Sequence, residues 1–243
     1  MQPSRTILLS GEPIIFSPDI SLDTLNIDIL LTTTHQPNLK SGKVRVEYLP
    51  VFSSSFAEMA SIEPGALLAE RGKKWAEMVA RGKTRGVGYL YYSCRPDREA
   101  FFLSLQTTLT QYFQTDRNRN RTSVVEALGR CRGGRPTSEN ALPQTEQNTR
   151  FHPHYLEDAI FSIYKDFQFV IAYEHEIVPG YITEKLTNAF LSGAVPIYIG
   201  AGDVTRYFNP NAMVICSADD VLGCSAQVIA LMTDEEKYIA MLG

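Results

Sequence analysis

Two charged residues, Glu184 and Lys185, follow Thr183 at a point where the pattern of the chain changes. Thr183 is a good N-cap residue, and apolar residues then recur at helical spacing, so the sequence predicts that a helix begins here. The first turn of a helix offers unpaired N–H groups and the positive end of the helix dipole, which favour a phosphate group. Lys185 would add a mobile positive charge, and Glu184 could accept hydrogen bonds from sugar hydroxyls. An ordinary capped surface helix has the same residue types, and taken alone they favour that simpler interpretation.

Another basic residue, Arg98, lies at the predicted start of a second helix. The apolar run 87–93 predicts a strand, and Pro96 and Asp97 then begin a helix that runs to about Phe113. A guanidinium at this position can bridge two phosphate oxygens, which a lysine cannot do. Standing alone, Arg98 would be interpreted as a solvated surface arginine.

These positions require a scaffold of parallel strands. The apolar runs 167–173 and 195–199 predict two strands, and the helix between them ends at Gly193, so the segment is a βαβ unit. The same alternation from Val87 onward predicts a mostly parallel, doubly wound sheet. In such sheets ligands bind beyond the carboxyl ends of the strands, next to helix N-termini.

The rest of the chain supplies further predicted elements. The first fifth is loop-rich α/β sequence with short strands and without long helices between them. The predicted strands are 6–10, 27–31, 44–49, 124–128 and 212–216, and the predicted helices are 64–85, 155–165 and 221 to the end.

Composition excludes several classes of protein. With 243 residues, 44% of them hydrophobic, the chain can form one large or two small cores and is not disordered. The formal net charge of −4 argues against a broad nucleic-acid or lipid-binding surface. No apolar run is long enough to cross a bilayer, and the start has no signal-peptide core.

The cysteines show neither a CxxC pair nor zinc-site spacing. We therefore expect buried free thiols, while a disulfide remains open if the chain is lumenal. The four cysteines are Cys94, Cys131, Cys216 and Cys224.

The order of these residues resembles the donor-binding segment of α-1,3/4-fucosyltransferases, the inverting glycosyltransferase family 10, which uses GDP-fucose. The resemblance covers most of the segment between Val87 and Cys216. In the stretch that resembles the family's Ser-Asn-Cys…Arg element, only Cys94 and Arg98 match strictly. The segments that carry it are Tyr173-Glu174, Gly180 to Leu186, Ala194 to Gly200, Phe208 to Pro210, Tyr92 to Arg98 and Val124 to Cys131.

The resemblance implies roles for residues of the donor site. Arg98 and Lys185 would hold the diphosphate and neutralise the charge that builds on GDP as the sugar leaves. Glu174 and Tyr181 would flank the same pocket and contact ribose, guanine or fucose. Thr183 and Glu184 complete the expected donor-binding set.

The resemblance also implies a catalytic base, Glu12. Its Ser-Gly-Glu-Pro element follows a predicted strand and matches the family's strand-Thr/Ser-Gly-Glu. Inversion requires one base on the face opposite the leaving diphosphate. Without the resemblance, Gly-Glu-Pro is only a turn.

One position departs from the family pattern, because His175 stands where the family usually has Asn. Imidazole and amide differ in hydrogen-bond geometry, so the change bears on donor affinity and on the identity of the sugar. His175 as a metal ligand is the weaker interpretation. With no Asp-x-Asp signature we expect no tightly bound cofactor, although a divalent cation could stimulate the reaction.

The sequence is therefore interpreted as an α/β fucosyltransferase with two Rossmann-like domains of the GT-B type. Residues 1–83 would be the remnant of an incomplete acceptor-side domain, and residues 84–243 the GDP-fucose-binding domain. We expect a fragment or an unusually short member of the family, since a whole acceptor-binding domain normally precedes the Gly-Glu element.

The expected partners are GDP-fucose and a glycan acceptor that contains N-acetylglucosamine. Nucleic acid is not an expected partner. For a eukaryotic source the resemblance implies protein glycosylation in the lumen of the Golgi apparatus, by an enzyme associated with its membrane. Two alternatives stay open: a transferase for another nucleotide sugar, and a non-catalytic or truncated nucleotide-sugar or glycan-binding domain. Glu12 discriminates between enzyme and binder, because a binder has no use for a base.

Overall fold

The computed structural model of the protein describes residues 6–9, 22–24, 26–34, 41–49, 73–91, 93–115, 124–129, 131 and 163–242. These residues form five α-helices and eight β-strands, and the strands make two sheets. The strands are β1 Ile7–Leu9, β2 Ile29–Thr32, β3 Arg45–Tyr48, β4 Arg85–Tyr89, β5 Val125–Ala127, β6 Phe167–Tyr173, β7 Val195–Ile199 and β8 Val214–Ile215. The helices are α1 Lys73–Gly82, α2 Pro96–Thr115, α3 Glu184–Leu191, α4 Val221–Thr233 and α5 Glu235–Leu242.

The first sheet is small and parallel, with the strand order β1-β2-β3. Its buried residues form a cluster of their own, in which Leu30 of β2 packs with Leu22 and Val44. The predicted strands of this region are confirmed, each within a few residues of the expected bounds.

The second sheet has the order β5-β4-β6-β7-β8, and all of its neighbouring strands are parallel. Side chains of β6 alternate between its two faces, as the period of a strand requires. Phe169 and Ile171 pack in the large cluster that also contains α2 and α4 residues, whereas Ala172 packs with Leu186 of α3. Helices therefore cover both faces, which confirms the doubly wound prediction.

The helix that follows β6 begins and ends as its sequence predicts. Thr183 is the N-cap of α3, and its hydroxyl accepts a hydrogen bond from Lys185 N. Beyond the other end, Gly193 adopts a φ of 67°, a left-handed conformation that glycine takes without a steric cost. A Cβ at Gly193 would also meet the Val79 side chain at 2.9 Å.

The expectation of free thiols is wrong, because the structure has two disulfides and no free cysteine. Cys94 and Cys131 are bridged across a sequence separation of 37 residues. They meet because β4 and β5 are neighbours, so the segments that follow them lie side by side. Cys216 and Cys224 are bridged between the end of β8 and the start of α4.

Two predicted segments differ from the structure or lie outside it. The helix predicted over 64–85 ends at Gly82, because Arg85 already pairs with Phe167 in the second sheet. Residues 64–72 and most of the predicted 155–165 helix lie outside the described residues, as does Glu12. None of the described helices is both long and apolar enough to cross a membrane.

Candidate functional site

The candidate site lies at the carboxyl edge of the second sheet, where two helices begin. Glu174 directly follows β6, and Gly200 directly follows β7. The helices α2 and α3 start at Pro96 and Glu184, on opposite faces of the sheet. The topology thus brings the sequence-predicted residues of both helix starts to one edge.

A buried carboxylate anchors the start of α3. Glu174 is fully buried, and its Oε1 accepts a hydrogen bond from Thr183 N at 2.8 Å. The Thr183 hydroxyl donates to Glu174 Oε2 at 2.6 Å. Lys185 Nζ lies 2.9 Å from Thr183 Oγ1 and 3.5 Å from Glu174 Oε2. The Thr183 hydroxyl therefore links the Glu174 carboxylate to the Lys185 ammonium group.

Close packing behind this anchor depends on glycine. A Cβ at Gly200 would lie 2.6 Å from Glu174 Cγ and would also clash with the Tyr198 ring. The Tyr198 hydroxyl accepts a hydrogen bond from Ala201 N at 3.0 Å. The first residue after β7 thus has to be small for Glu174 to reach Thr183.

The charges of this cluster influence one another. Desolvation raises the pKa of Glu174, while Lys185 and Thr183 oppose that rise. Desolvation also lowers the pKa of Lys185, but the negative charges of Glu184 and Glu174 outweigh it, so the net shift is upward. Lys185 is therefore a persistent cation, and its side chain is 32% exposed, so a ligand can reach it.

Arg98 comes to the same edge from the first turn of α2. It is buried, its Nη2 donates to Tyr173 O at 3.2 Å, and its guanidinium carbon lies 5.6 Å from the Tyr173 ring centroid. Arg98 Nε is buried and has no hydrogen-bond partner among the described residues. The positive charge of Arg98 is close enough to oppose, in part, the rise in the pKa of Lys185 that Glu184 and Glu174 cause. The charges of Arg98 and Lys185, the two residues predicted to bind phosphate, thus lie close enough to interact.

A hydrogen-bond network that no sequence motif predicts joins the start of α2 to the segment after β6. Arg95 Nη1 donates to His175 O at 2.8 Å and lies 3.2 Å from a Glu176 carboxylate oxygen. Arg95 Nε donates to Asp97 Oδ1 at 3.1 Å, and the Tyr173 hydroxyl donates to Asp97 Oδ2 at 3.2 Å. Arg95 is part of no recognisable sequence motif, so only its tertiary contacts show that it joins the start of α2 to the segment after β6.

Residues 174–183, here called the 174–183 loop, join β6 to the N-cap of α3. Gly180 adopts a φ of 80°, and its N–H donates to Asp203 Oδ1 at 2.9 Å. Tyr181 is buried, with 3% of its surface exposed. The tip is more open, since Ile177 is 55% exposed.

The predicted site residues that the structure describes fall into two groups, apart from Tyr181, which is buried in the 174–183 loop. Arg98 and Lys185 present positive charge, and the half-exposed Glu184 has a carboxylate oxygen 3.4 Å from Lys185 Nζ. Glu174 and Thr183 face each other beneath the surface, an arrangement that positions α3. Contact of any of these residues with a donor stays a prediction, and so does the role of Glu12.

The histidine at the unusual position does not belong to a metal cluster in the described part of the chain. His175 is half-exposed, and its Nε2 lies 3.7 Å from Glu176 Oε1. One group of potential ligand atoms does occur there, formed by Cys94, Glu99 and Cys131. Both of its sulfur atoms are used in a disulfide, so they are not available as thiolate ligands.

Comparison with known families decides the assignment. Residues 100–240 match the C-terminal region of glycosyltransferase family 10 (fucosyltransferase). The chain belongs to this family. The match includes α3 with Glu174 and Lys185 and all of α2 except its first four residues, so Arg98 lies just before the matched region.

Curated relatives are similar to this protein over most of the chain. GDP-fucose protein O-fucosyltransferase 3 of Xenopus laevis is 25% identical over 203 residues, which are 82% of this chain and 38% of the relative. A protein of Acanthamoeba polyphaga mimivirus, named as a fucosyltransferase, is 25% identical over 85% of this chain and 27% of its own length. The chain thus spans between about a quarter and two-fifths of these relatives.

A solved structure shares the fold. The crystal structure of an alpha1,3-fucosyltransferase with GDP-fucose superposes with a TM-score of 0.60 and 19% identity, over 99% of this chain and 66% of that one. This likeness confirms the α/β architecture of the GT-B type. The division of the chain at residues 83 and 84 stays a prediction.

Proposed function

We propose that this chain binds GDP-fucose at the carboxyl edge of its second sheet and serves fucosyl transfer to an acceptor hydroxyl with inversion. One observation carries the proposal. Arg98 and Lys185 reach one edge from the first turns of two helices, and the buried Arg98 Nε has no partner among the described residues. Buried polar groups almost always have a partner, and a diphosphate oxygen would supply it.

The chemistry at the donor is the departure of GDP. As the bond between the anomeric carbon and the diphosphate oxygen breaks, its electron pair stays on that oxygen. Lys185 and Arg98 stabilise the added negative charge, a kind of electrostatic effect worth several kcal/mol in the barrier. Glu184, beside Lys185, accepts hydrogen bonds from sugar hydroxyls. Tyr181, in the 174–183 loop, flanks the same donor pocket. Glu174 and Thr183 hold the start of α3 in place.

The chemistry at the acceptor is deprotonation. Glu12 removes the proton from the acceptor hydroxyl as that oxygen attacks the anomeric carbon from the face opposite GDP. In the sequence Glu12 follows the end of β1 by three residues. No metal ion is assigned a step in this scheme, although cation stimulation stays part of the hypothesis.

Two acceptor classes are carried forward. The alpha1,3-fucosyltransferase fold favours a glycan hydroxyl, such as one on an N-acetylglucosamine-containing glycan, whereas the name of the Xenopus laevis relative favours a protein hydroxyl. Two disulfides support an oxidising compartment, as in the lumen of the Golgi. A non-catalytic nucleotide-sugar-binding domain is the competing proposal, and it predicts donor binding without transfer.

The proposal is tested by donor selectivity followed by transfer. Calorimetric titration with GDP-fucose, GDP-mannose and UDP-galactose should show the strongest binding for GDP-fucose. Each acceptor class is then incubated with GDP-fucose, and the product is identified by mass spectrometry and its anomeric configuration by NMR. Equal affinity for UDP-galactose would contradict the donor assignment, and retention of configuration would contradict the inverting mechanism.

Glu12→Gln separates an enzyme from a binder. The carboxamide cannot act as a base, so turnover should fall roughly a hundredfold or more while GDP-fucose affinity stays nearly unchanged. Glu236→Gln serves as a matched control, because it makes the same change on an exposed glutamate of α5. A Glu12→Gln protein with full transfer rate would reduce Glu12 to a turn residue. Donor binding by the parent chain without any transfer would favour the non-catalytic domain.

A further inference from the structure

The 174–183 loop is held from the first sheet as well as from the second. Tyr48 is the last residue of β3, and its hydroxyl donates to Gly180 O at 2.8 Å. The Tyr48 ring also lies against Tyr207, with ring centroids 6.2 Å apart. A residue of the small sheet thus reaches the loop that carries the N-cap of α3.

Both backbone polar groups of Gly180 are therefore fixed by side chains from different parts of the fold. Its carbonyl accepts from Tyr48, and its N–H donates to Asp203, which lies between β7 and β8. Gly180 has a φ of 80°, so the chain turns at this residue. The two hydrogen bonds set the orientation of the peptide groups on either side of the turn.

The consequence reaches the proposed donor site along a short path. The Ile182 N–H donates to Gly180 O at 3.0 Å, so the carbonyl that Tyr48 contacts also accepts from the residue before the N-cap. Thr183 follows, and its hydroxyl lies 2.9 Å from Lys185 Nζ. The hydrogen bonds of Gly180 and Thr183 thus give a continuous path from Tyr48 to Lys185 through the loop.

We propose that Tyr48 is a positioning residue, which couples the first sheet to the phosphate-binding end of α3 through Gly180. This inference rests on the proposed function only for its ligand, since the contacts exist without one. Burial first, and then the neighbouring Tyr207 and Asp203, raise the pKa of Tyr48. Its hydroxyl therefore remains a donor at every pH at which the protein would be assayed.

The first test needs no ligand. Tyr48→Phe keeps the ring and removes only the hydroxyl, and Tyr112→Phe makes the same change on an exposed tyrosine of α2. Hydrogen exchange measured by mass spectrometry should become roughly two- to tenfold faster in peptides that span 174–185, the scale of one neutral hydrogen bond. Peptides from α4 should be unchanged, and so should every peptide of the control. Unaltered exchange across 174–185 would overturn the proposal.

The second test measures coupling to the ligand. GDP titrations of Tyr48→Phe, Lys185→Ala and the double variant form a double-mutant cycle. Tyr48→Phe alone should weaken GDP binding roughly two- to tenfold and should have little further effect when Lys185 is absent. Fully additive effects would mean that Tyr48 acts only on general stability, which overturns the positioning role.

Variants of Asp203 distinguish positioning from packing. Asp203→Asn keeps an oxygen that can accept from Gly180 N, so it should retain nearly the parent affinity and exchange rates, whereas Asp203→Ala should reproduce the effect of Tyr48→Phe. If Asn and Ala are equally harmful, the Gly180 hydrogen bond is not what matters. If the parent chain fails to bind GDP while the exchange test succeeds, the proposed function fails and the contact stands.

Discussion

Replacing Thr183 by Val should destabilise the protein by more than its small change in volume suggests. The γ-methyl group and the overall shape are kept, but the hydroxyl is lost. That hydroxyl caps α3, a contribution of about 1 kcal/mol. It also donates to the buried Glu174 carboxylate at 2.6 Å, a charge-assisted hydrogen bond worth about 1.5–3 kcal/mol. The expected loss in the free energy of unfolding is therefore roughly 2–4 kcal/mol.

Thr183→Ser is the matched control, because it keeps the hydroxyl and removes the methyl group. Its loss should be only about 0.5–1.5 kcal/mol, as for a single buried methyl. Urea unfolding followed by circular dichroism gives both values from the midpoints and slopes. If the Val and Ser variants have unfolding free energies within about 0.5 kcal/mol of each other, the Thr183–Glu174 contact does not anchor α3.

Two further predictions concern the stability of the fold. Burial lowers the pKa of Lys83 to about 8 from 10.5, so between these values the unfolded chain binds a proton that the folded one lacks. Parent stability should therefore rise from pH 8 to 10 relative to Lys83→Met, by up to about 1.4 kcal/mol per pH unit, and parallel pH profiles would refute this assignment. The Cys94–Cys131 bridge closes a longer loop than Cys216–Cys224, so its removal by paired Ser substitutions should cost about 1 kcal/mol more in unfolding free energy. Equal midpoints in thermal unfolding would contradict the loop-length argument.

The start of α3 could be predicted because its signals are local. Thr183 as N-cap, Gly193 beyond the other end and the apolar strands on both sides each depend on a few neighbouring residues. Parallel pairing then follows from the short connections of a βαβ unit. This is why the edge that gathers Arg98 and Lys185 was already visible in the sequence.

The remaining features depend on neighbours that are distant in the chain. The burial of Glu174 against Thr183 depends on the close packing at Gly200, a residue 26 positions later in the chain. The Cys94–Cys131 bridge depends on β5 lying beside β4, and no spacing rule gives strand order. The contact of Tyr48 with Gly180 joins residues 132 apart in sequence.

The central claim is that Lys185 and Arg98 form the phosphate end of a GDP-fucose site. Calorimetric titration of GDP into the parent chain, Lys185→Ala and Lys237→Ala tests it most directly, because Lys237 is an exposed lysine that pairs only locally with Asp234. The parent and Lys237→Ala should bind GDP equally, and Lys185→Ala should bind it about 1.5–3 kcal/mol more weakly, as for a lost charged hydrogen bond. A folded Lys185→Ala protein with the parent's affinity, or a parent chain that does not bind GDP, would contradict the claim.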